Sequence, residues 1–231
     1  MSGLGQPAQA VIARVAKCFS GTWEADGGSP DAWLTVAGKR IAVDVTAISL
    51  SLAGRTRPRL RFDRVVLGLL RRLRAGLTPI VPDGEAVVLT VTAPIRLPAQ
   101  TAAALEKQIR DSLADGPGRL EIEEAICGHQ VRARLVKGVS RRMPKVIGFV
   151  HNPDSDADVL LDLTQSMLQQ IGAAADKPPP AAFTGDRWLA VVHEDGLHHA
   201  ETYRQVYAQL AASTDYTKAL LVLAGRVERL T

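Results

Sequence analysis

The sequence predicts an α/β protein, a single domain over residues 1–231 built on a central mixed β-sheet flanked by helices. Three observations point there. Helix-periodic and strand-like segments alternate along the chain, and such alternation places helices on the faces of a mostly parallel or mixed sheet. The 86–92 run is nearly continuously apolar, as a strand buried on both faces requires. The chain has 231 residues, 46% of them hydrophobic and 23% charged, which is ordinary globular composition. At this length it buries roughly 70% of the surface an unfolded chain exposes, so it needs no disulfide staple.

Each element has its own signal. Residues 8–19 read as a helix, with Val11, Val15 and Phe19 four apart and Ile12 and Ala16 beside them. The Gly-rich segment after Trp23 reads as a loop. Residues 33–36 form a strand, Ala37, Gly38 and Lys39 a tight turn, and 40–48 a second strand. Ile41, Val43, Val45 and Ala47 share one face of it; Ala42, Asp44 and Thr46 share the other. Phe62, Val65, Val66, Leu69, Leu70 and Leu73 form the stripe of a helix over 62–74, stopped by Gly76 and Pro79. Residues 101–113 form a helix that begins near Thr101 and ends before Gly116 and Pro117. Strands at 120–126 and 130–136 pair around Gly128 and His129, and 146–150 is a short apolar strand. A helix over 158–171 buries Leu160, Leu163, Met167 and Ile171. A Pro-stiffened linker at 174–180 leads to a strand at 188–192, a helix at 201–211 and a last strand at 219–224. No internal repeat is visible.

The net charge of +4 averages unlike parts. Residues 1–145 hold 22 basic and 13 acidic side chains, and residues 146–231 hold 6 and 11. Half the basic residues fall in two runs. One contains Arg55, Arg57, Arg59, Arg61, Arg64, Arg71, Arg72 and Arg74. The other contains Arg132, Arg134, Lys137, Arg141, Arg142 and Lys145. Clustered cations of this kind suit a phosphate-facing surface, with an ordinary solvated surface as the alternative. The apolar runs are short and broken by Asp, Arg or Pro, so no membrane span is expected. Arg14 and Lys17 interrupt the place where a signal peptide would carry its apolar core. Cys18 and Cys127 sit in no metal-binding spacing. They are expected to be reduced thiols of a cytoplasmic protein.

The hairpin carries the sharpest chemistry. Asp31 follows Ser29 and Pro30 at the mouth of its first strand, and Asp44 lies on the less apolar face of the second. Adjacent strands can bring two such carboxylates together, and Glu24 could add a third. Paired carboxylates are costly without a compensating cation, and a hard divalent ion is the natural one. Such an ion could activate water against a phosphodiester, with a basic surface holding the backbone.

This pattern resembles the PD-(D/E)xK nuclease superfamily. That family carries an acid on a helix, Pro-Asp near a first strand, and Asp/Glu-x-Lys in the second. The matching residues are Glu24, Pro30 with Asp31, and Asp44 with Thr46 at the lysine position; 13 positions separate Asp31 from Asp44. The resemblance covers 8–92, whose following helix and strand also fit the family core, and makes 93–231 an elaboration. It implies a restriction-endonuclease-like core and a magnesium or manganese ion held by Glu24, Asp31 and Asp44. Arg55, Arg57, Arg59, Arg61, Arg64, Arg141 and Arg142 would contact DNA or RNA. Thr46 departs from the family lysine, which stabilises charge and helps activate water. Lys39 is one replacement and Arg64 another, although arginine would be a poor base. Threonine there is also what an inactive member would carry.

Other motifs weigh less. The run from His151 to Asp158 lacks the glycine and distal glutamate of a calcium loop, and Asp156 or Asp158 reads more simply as a helix cap. His193, Glu194, Asp195, His198 and His199 match no zinc spacing. There is no GxxxxGK[ST] loop, no GxGxxG and no GxSxG elbow. Trp23 and Trp33 could stack on a base, but core or loop anchoring is the commoner role of such residues. Three readings follow: a divalent-metal nuclease acting on DNA or RNA, an inactive relative that binds nucleic acid or protein, and an interaction domain with surface arginines. A homo-oligomer is compatible with each.

Overall fold

A computed structural model describes residues 6–26, 28–50, 64–114, 120–153, 156–193, 195, 197, 200–224 and 226–231, with the side chains of 64–67 excepted. In chain order the elements are α1 (Gln6–Cys18), β1 (Thr22–Ala25), β2 (Ala32–Val36), β3 (Lys39–Ala47), α2 (Arg64–Leu77), β4 (Glu85–Thr92), α3 (Pro98–Ala114), β5 (Glu121–Ile126), β6 (His129–Lys137), β7 (Val146–His151), α4 (Ala157–Ala175), β8 (Arg187–Val192), α5 (Glu201–Leu210), a 3-10 turn (Ala211–Ser213), β9 (Lys218–Leu223) and β10 (Arg226–Arg229).

The α/β class stands, but the strands form two sheets where a single central sheet was expected. The chain divides into two compact units. The first joins Met1–Ala53 to Ser166–Thr231, and the second is Gly54–Gln165. Strand and helix alternation counts elements without saying which edges meet. Apolar β4 is a suitable neighbour for any buried strand, so its sheet could not be assigned from its own residues.

The first unit holds a six-stranded sheet in the order β1-β2-β3-β8-β9-β10. The first three strands form an antiparallel meander. β3, β8 and β9 run parallel, and β10 returns antiparallel to β9. One face packs on α1, whose Val11, Ile12, Val15 and Ala16 meet Leu34, Ile41, Val43, Trp188 and Leu220. The period of two in β3 therefore sends Ala42, Asp44 and Thr46 to the opposite face. The strand that continues this sheet beyond the hairpin is β8, and of α4 the part from Ser166 onward belongs to this unit; α2 and β4 belong to the other unit. β1 falls in the segment expected to be a loop. At four residues, mostly exposed, it offers no alternation to read. β10 is short and partly exposed for the same reason. α4 continues to Ala175, past the expected end at Ile171 and into the expected linker.

The second unit holds a four-stranded sheet, β5-β6-β4-β7, with β4 antiparallel to β6 and parallel to β7. Leu69, Leu73 and Leu77 of α2 and Ala102, Leu105 and Ile109 of α3 pack on Val87, Leu89, Val91, Val131 and Ala133. On β6, Arg132 and Arg134 alternate with Val131 and Ala133 and so face away from that core. Arg132 pairs with Glu123 and Asp158 and Arg134 with Asp162, joining β6 to the first turns of α4.

Two glycines give opposite expectations. At Gly21, where the chain leaves α1, an added Cβ would lie 2.5 Å from the Thr35 carbonyl oxygen and 3.0 Å from Val36 Cγ2. Gly21→Ala is expected to lower stability by about 1–3 kcal/mol in urea unfolding, as overpacking does. Gly68 is exposed within α2, with no described atom within 4 Å of an added Cβ. Gly68→Ala is expected to raise stability by about 0.5–1 kcal/mol, since alanine orders more readily in a helix.

Candidate functional site

The hairpin register sets the two motif aspartates side by side. Ala32 pairs with Val43, Asp31 directly precedes the first and Asp44 directly follows the second. Asp31 caps the opening of β2: its Oδ2 accepts the Val45 N–H at 2.7 Å. Lys177, two residues past the end of α4, donates to both carboxylate oxygens at 3.1 and 2.9 Å. Asp44 is completely buried, and its Oδ2 accepts from Arg187 Nη2 at 2.7 Å. The Tyr216 hydroxyl lies 3.0 Å from the same oxygen and 2.8 Å from the Ala174 carbonyl, and its one proton can serve either. Burial, and then the adjoining Asp44 carboxylate, push the Tyr216 phenol well above its ordinary range. Arg187 Nη2 also approaches the Lys177 carbonyl at 3.5 Å, so both ion pairs belong to one polar cluster. Within it, Asp44 Oδ1 and Arg187 Nε are buried with no hydrogen-bond partner among the described residues.

The other expected residues stand apart from this cluster. Glu24 is two-thirds exposed on β1 and pairs with Arg40 at 2.7 Å. Lys39 begins β3, five residues before Asp44, which is roughly 16 Å along an extended strand. The Thr46 hydroxyl donates to the Gln170 carbonyl of α4 at 3.3 Å. Arg55, Arg57, Arg59 and Arg61 lie outside the described residues, as does the Arg64 side chain. Arg141 and Arg142 are exposed after β6, with the Arg142 N–H on Ser140 Oγ at 3.2 Å. Lys145, in the same basic run, pairs with Asp83 at 2.7 Å.

Sequence reasoning passed over Lys177, Arg187 and Tyr216. Arg187 did leave a trace as the lone cation opening an otherwise apolar strand. Its partner is 143 residues away, so no local spacing reveals the pair.

The donor set does not fit magnesium or manganese as arranged. Magnesium wants octahedral oxygen ligation near 2.1 Å and keeps several waters. Asp44 has no exposed surface for a hydrated ion, and a guanidinium already meets it. Asp31 has both oxygens engaged. No group of three or more His, Cys, Asp or Glu able to hold a metal occurs among the described residues.

The remaining motifs have structural partners. Asp156 Oδ1 accepts the Asp158 and Val159 N–H groups at 3.0 and 3.2 Å, which makes it the cap of α4. Trp33 carries Arg40 on its ring at 4.1 Å and meets the edge of Phe183 at 4.9 Å. Trp23 packs against the α1 side of the core. Tyr203 and Tyr207 are buried. Among the described residues no helix is long and apolar enough to cross a membrane.

No family model, curated protein or solved structure matches the chain.

Arg187→Met leaves Asp44 buried without its cation and is expected to cost about 3–5 kcal/mol in chemical denaturation. Adding Asp44→Leu is expected to recover most of that loss, because a buried pair replaced by apolar groups leaves no orphan charge. Lys177→Ala, at a partly exposed pair, is expected to cost no more than about 1 kcal/mol.

Proposed function

We propose that this chain is a non-catalytic protein on a restriction-endonuclease-like scaffold, and that it binds DNA or RNA through its arginine-rich unit. The observation that carries the first half is the internal neutralisation of both motif carboxylates, Asp31 by Lys177 and Asp44 by Arg187. Each cation supplies the countercharge that a divalent ion would otherwise supply. The scaffold reading is supported by the order of α1, the β1-β2-β3 meander, α4 and parallel β8, and by the adjacency of Asp31 and Asp44 in the β2-β3 register.

The second half rests on charge. The unit spanning Gly54–Gln165 holds 18 basic and 13 acidic residues, whereas the carboxylate-bearing unit holds 10 and 11. Both arginine-rich runs therefore belong to the unit without the hairpin. The 132–145 run is partly spent on internal ion pairs through Arg132, Arg134 and Lys145. The run from Arg55 to Arg74, with exposed Arg71 and Arg72 on α2, is the stronger phosphate-binding candidate. Such binding releases counterions and weakens steeply with salt.

The test pairs two assays. Incubation with magnesium or manganese and single- or double-stranded substrates is expected to give no cleavage above a D44N control. Cleavage by the wild type that Asp31→Asn or Asp44→Asn abolishes would make the protein a nuclease. Fluorescence anisotropy across a salt series is expected to show binding whose logarithmic slope is negative. Replacing Arg55, Arg57, Arg59 and Arg61 together by alanine is expected to shallow that slope by about 0.7–0.9 for each phosphate that is no longer neutralised. Absence of any salt-dependent binding would instead favour an interaction domain with surface arginines.

A further inference from the structure

A second polar cluster in the first unit serves neither motif aspartate. His193 follows β8 and is almost fully buried. Its Nε2 faces the Leu50 carbonyl in a hydrogen bond, so Nε2 carries the ring proton there. The bare Nδ1 then accepts the Tyr203 hydroxyl of α5 at 2.8 Å, and the Tyr203 oxygen accepts the Leu197 N–H at 3.1 Å. Every member is satisfied only while the ring is neutral. Backbone bonds complete the arrangement: Ile48 N–H to the Val192 carbonyl at 2.8 Å and His193 N–H to the Val222 carbonyl at 3.1 Å. The cluster thus ties the chain at 48–50 to the end of β8, to β9 and to α5. The next residues in sequence open the arginine-rich run.

We propose that His193 and Tyr203 form a proton-sensitive latch that holds the chain at Leu50 against the connection between β8 and α5. Protonation would place an Nδ1–H against the Tyr203 oxygen, which already accepts from Leu197. The hydroxyl proton would lose its acceptor inside a buried site, and a new charge would sit there without a contacting carboxylate among the described residues. Burial is the largest influence on His193 and lowers its pKa; the hydrogen bond to Leu50 and the charge of Asp195 oppose it. Tyr203, its pKa pushed up to about 12, stays a neutral donor throughout. Among the described residues, Asp195 from the loop and Tyr203 from α5 are the titratable groups that bear on the ring. Val222 of β9 and Leu50 contribute backbone only. Glu194, His198 and His199 of the same loop lie outside the described residues.

The sign follows from the lowered pKa. The folded state binds fewer protons at His193 than the unfolded state does. The latch is at full strength above the ordinary histidine value of about 6.5 and weakens as pH falls below it.

Hydrogen exchange, corrected for intrinsic rates, tests this at pH 7.5 and 5.5. In the wild type, the amides of Ile48 and Leu197 are expected to lose about tenfold protection at the lower pH, while those inside β3 and β8 hold. His193→Gln, which cannot take the proton, is expected to show equal protection at both values. Tyr203→Phe is expected to lose protection at Leu197 at both values. Unchanged wild-type protection, or the same acid loss in His193→Gln, would overturn the latch. Should His193→Gln not fold, the His193 ring titration by NMR replaces it: a wild-type midpoint at the ordinary value of about 6.5 overturns the proposal and one well below it supports it. The exchange readout does not depend on nucleic-acid binding, so failure of the latch and failure of the proposed function are separable.

Discussion

The buried pair of Asp44 with Arg187 is the contact around which the first unit is organised. It joins β3 to β8 at the centre of a six-stranded sheet, across 143 residues of sequence. Between those strands the chain passes through the whole second unit, Gly54–Gln165. Closing such a long loop has an entropic cost, which the parallel ladder and apolar contacts of the sheet must offset. The ion pair adds little net energy compared with two packed apolar residues, because both charges had to leave water. Its two charges meet in one register only. A one-residue slip of β8 against β3 would turn Arg187 to the α1 face and leave Asp44 buried without a cation.

The same pair governs the chemical reading. A strand-borne aspartate beside a second one is half of a divalent-metal site when both are free to take a cation from solvent. Here Arg187 meets Asp44, Lys177 meets Asp31, and Tyr216 adds a hydroxyl at Asp44. Both carboxylates of the hairpin are thus neutralised from within the chain. Thr46, two residues after Asp44, turns its hydroxyl to an α4 carbonyl and supplies no charge.

Charge also changes meaning once the fold is known. Counted along the chain, the basic excess lies in the part that holds the carboxylate hairpin. Counted by unit it does not: the arginines belong to the inserted unit, and the hairpin unit is close to neutral. Within the inserted unit, Arg132 and Arg134 meet Glu123, Asp158 and Asp162, so part of a conspicuous basic run is spent on internal pairs. Linear clustering reports proximity in sequence, while a phosphate responds to charge left uncompensated on a surface.

Local physics made much of this protein legible from its residues. The period of four at Val11, Val15 and Phe19 marked α1. The period of two in β3 put Val43 and Asp44 on opposite faces, and the Pro30 and Asp31 turn placed a carboxylate beside Asp44. Those are interactions among near neighbours, and side-chain patterning carries them. The marginal strands β1 and β10 were not legible, being too short and exposed for a pattern. Nor was the assignment of β4 to a second sheet, or of Lys177 and Arg187 to the motif aspartates. Each of those depends on which distant segments share a sheet edge. Tertiary pairing chose among strands that were equally apolar by themselves, and with that choice it decided what charge each aspartate would meet.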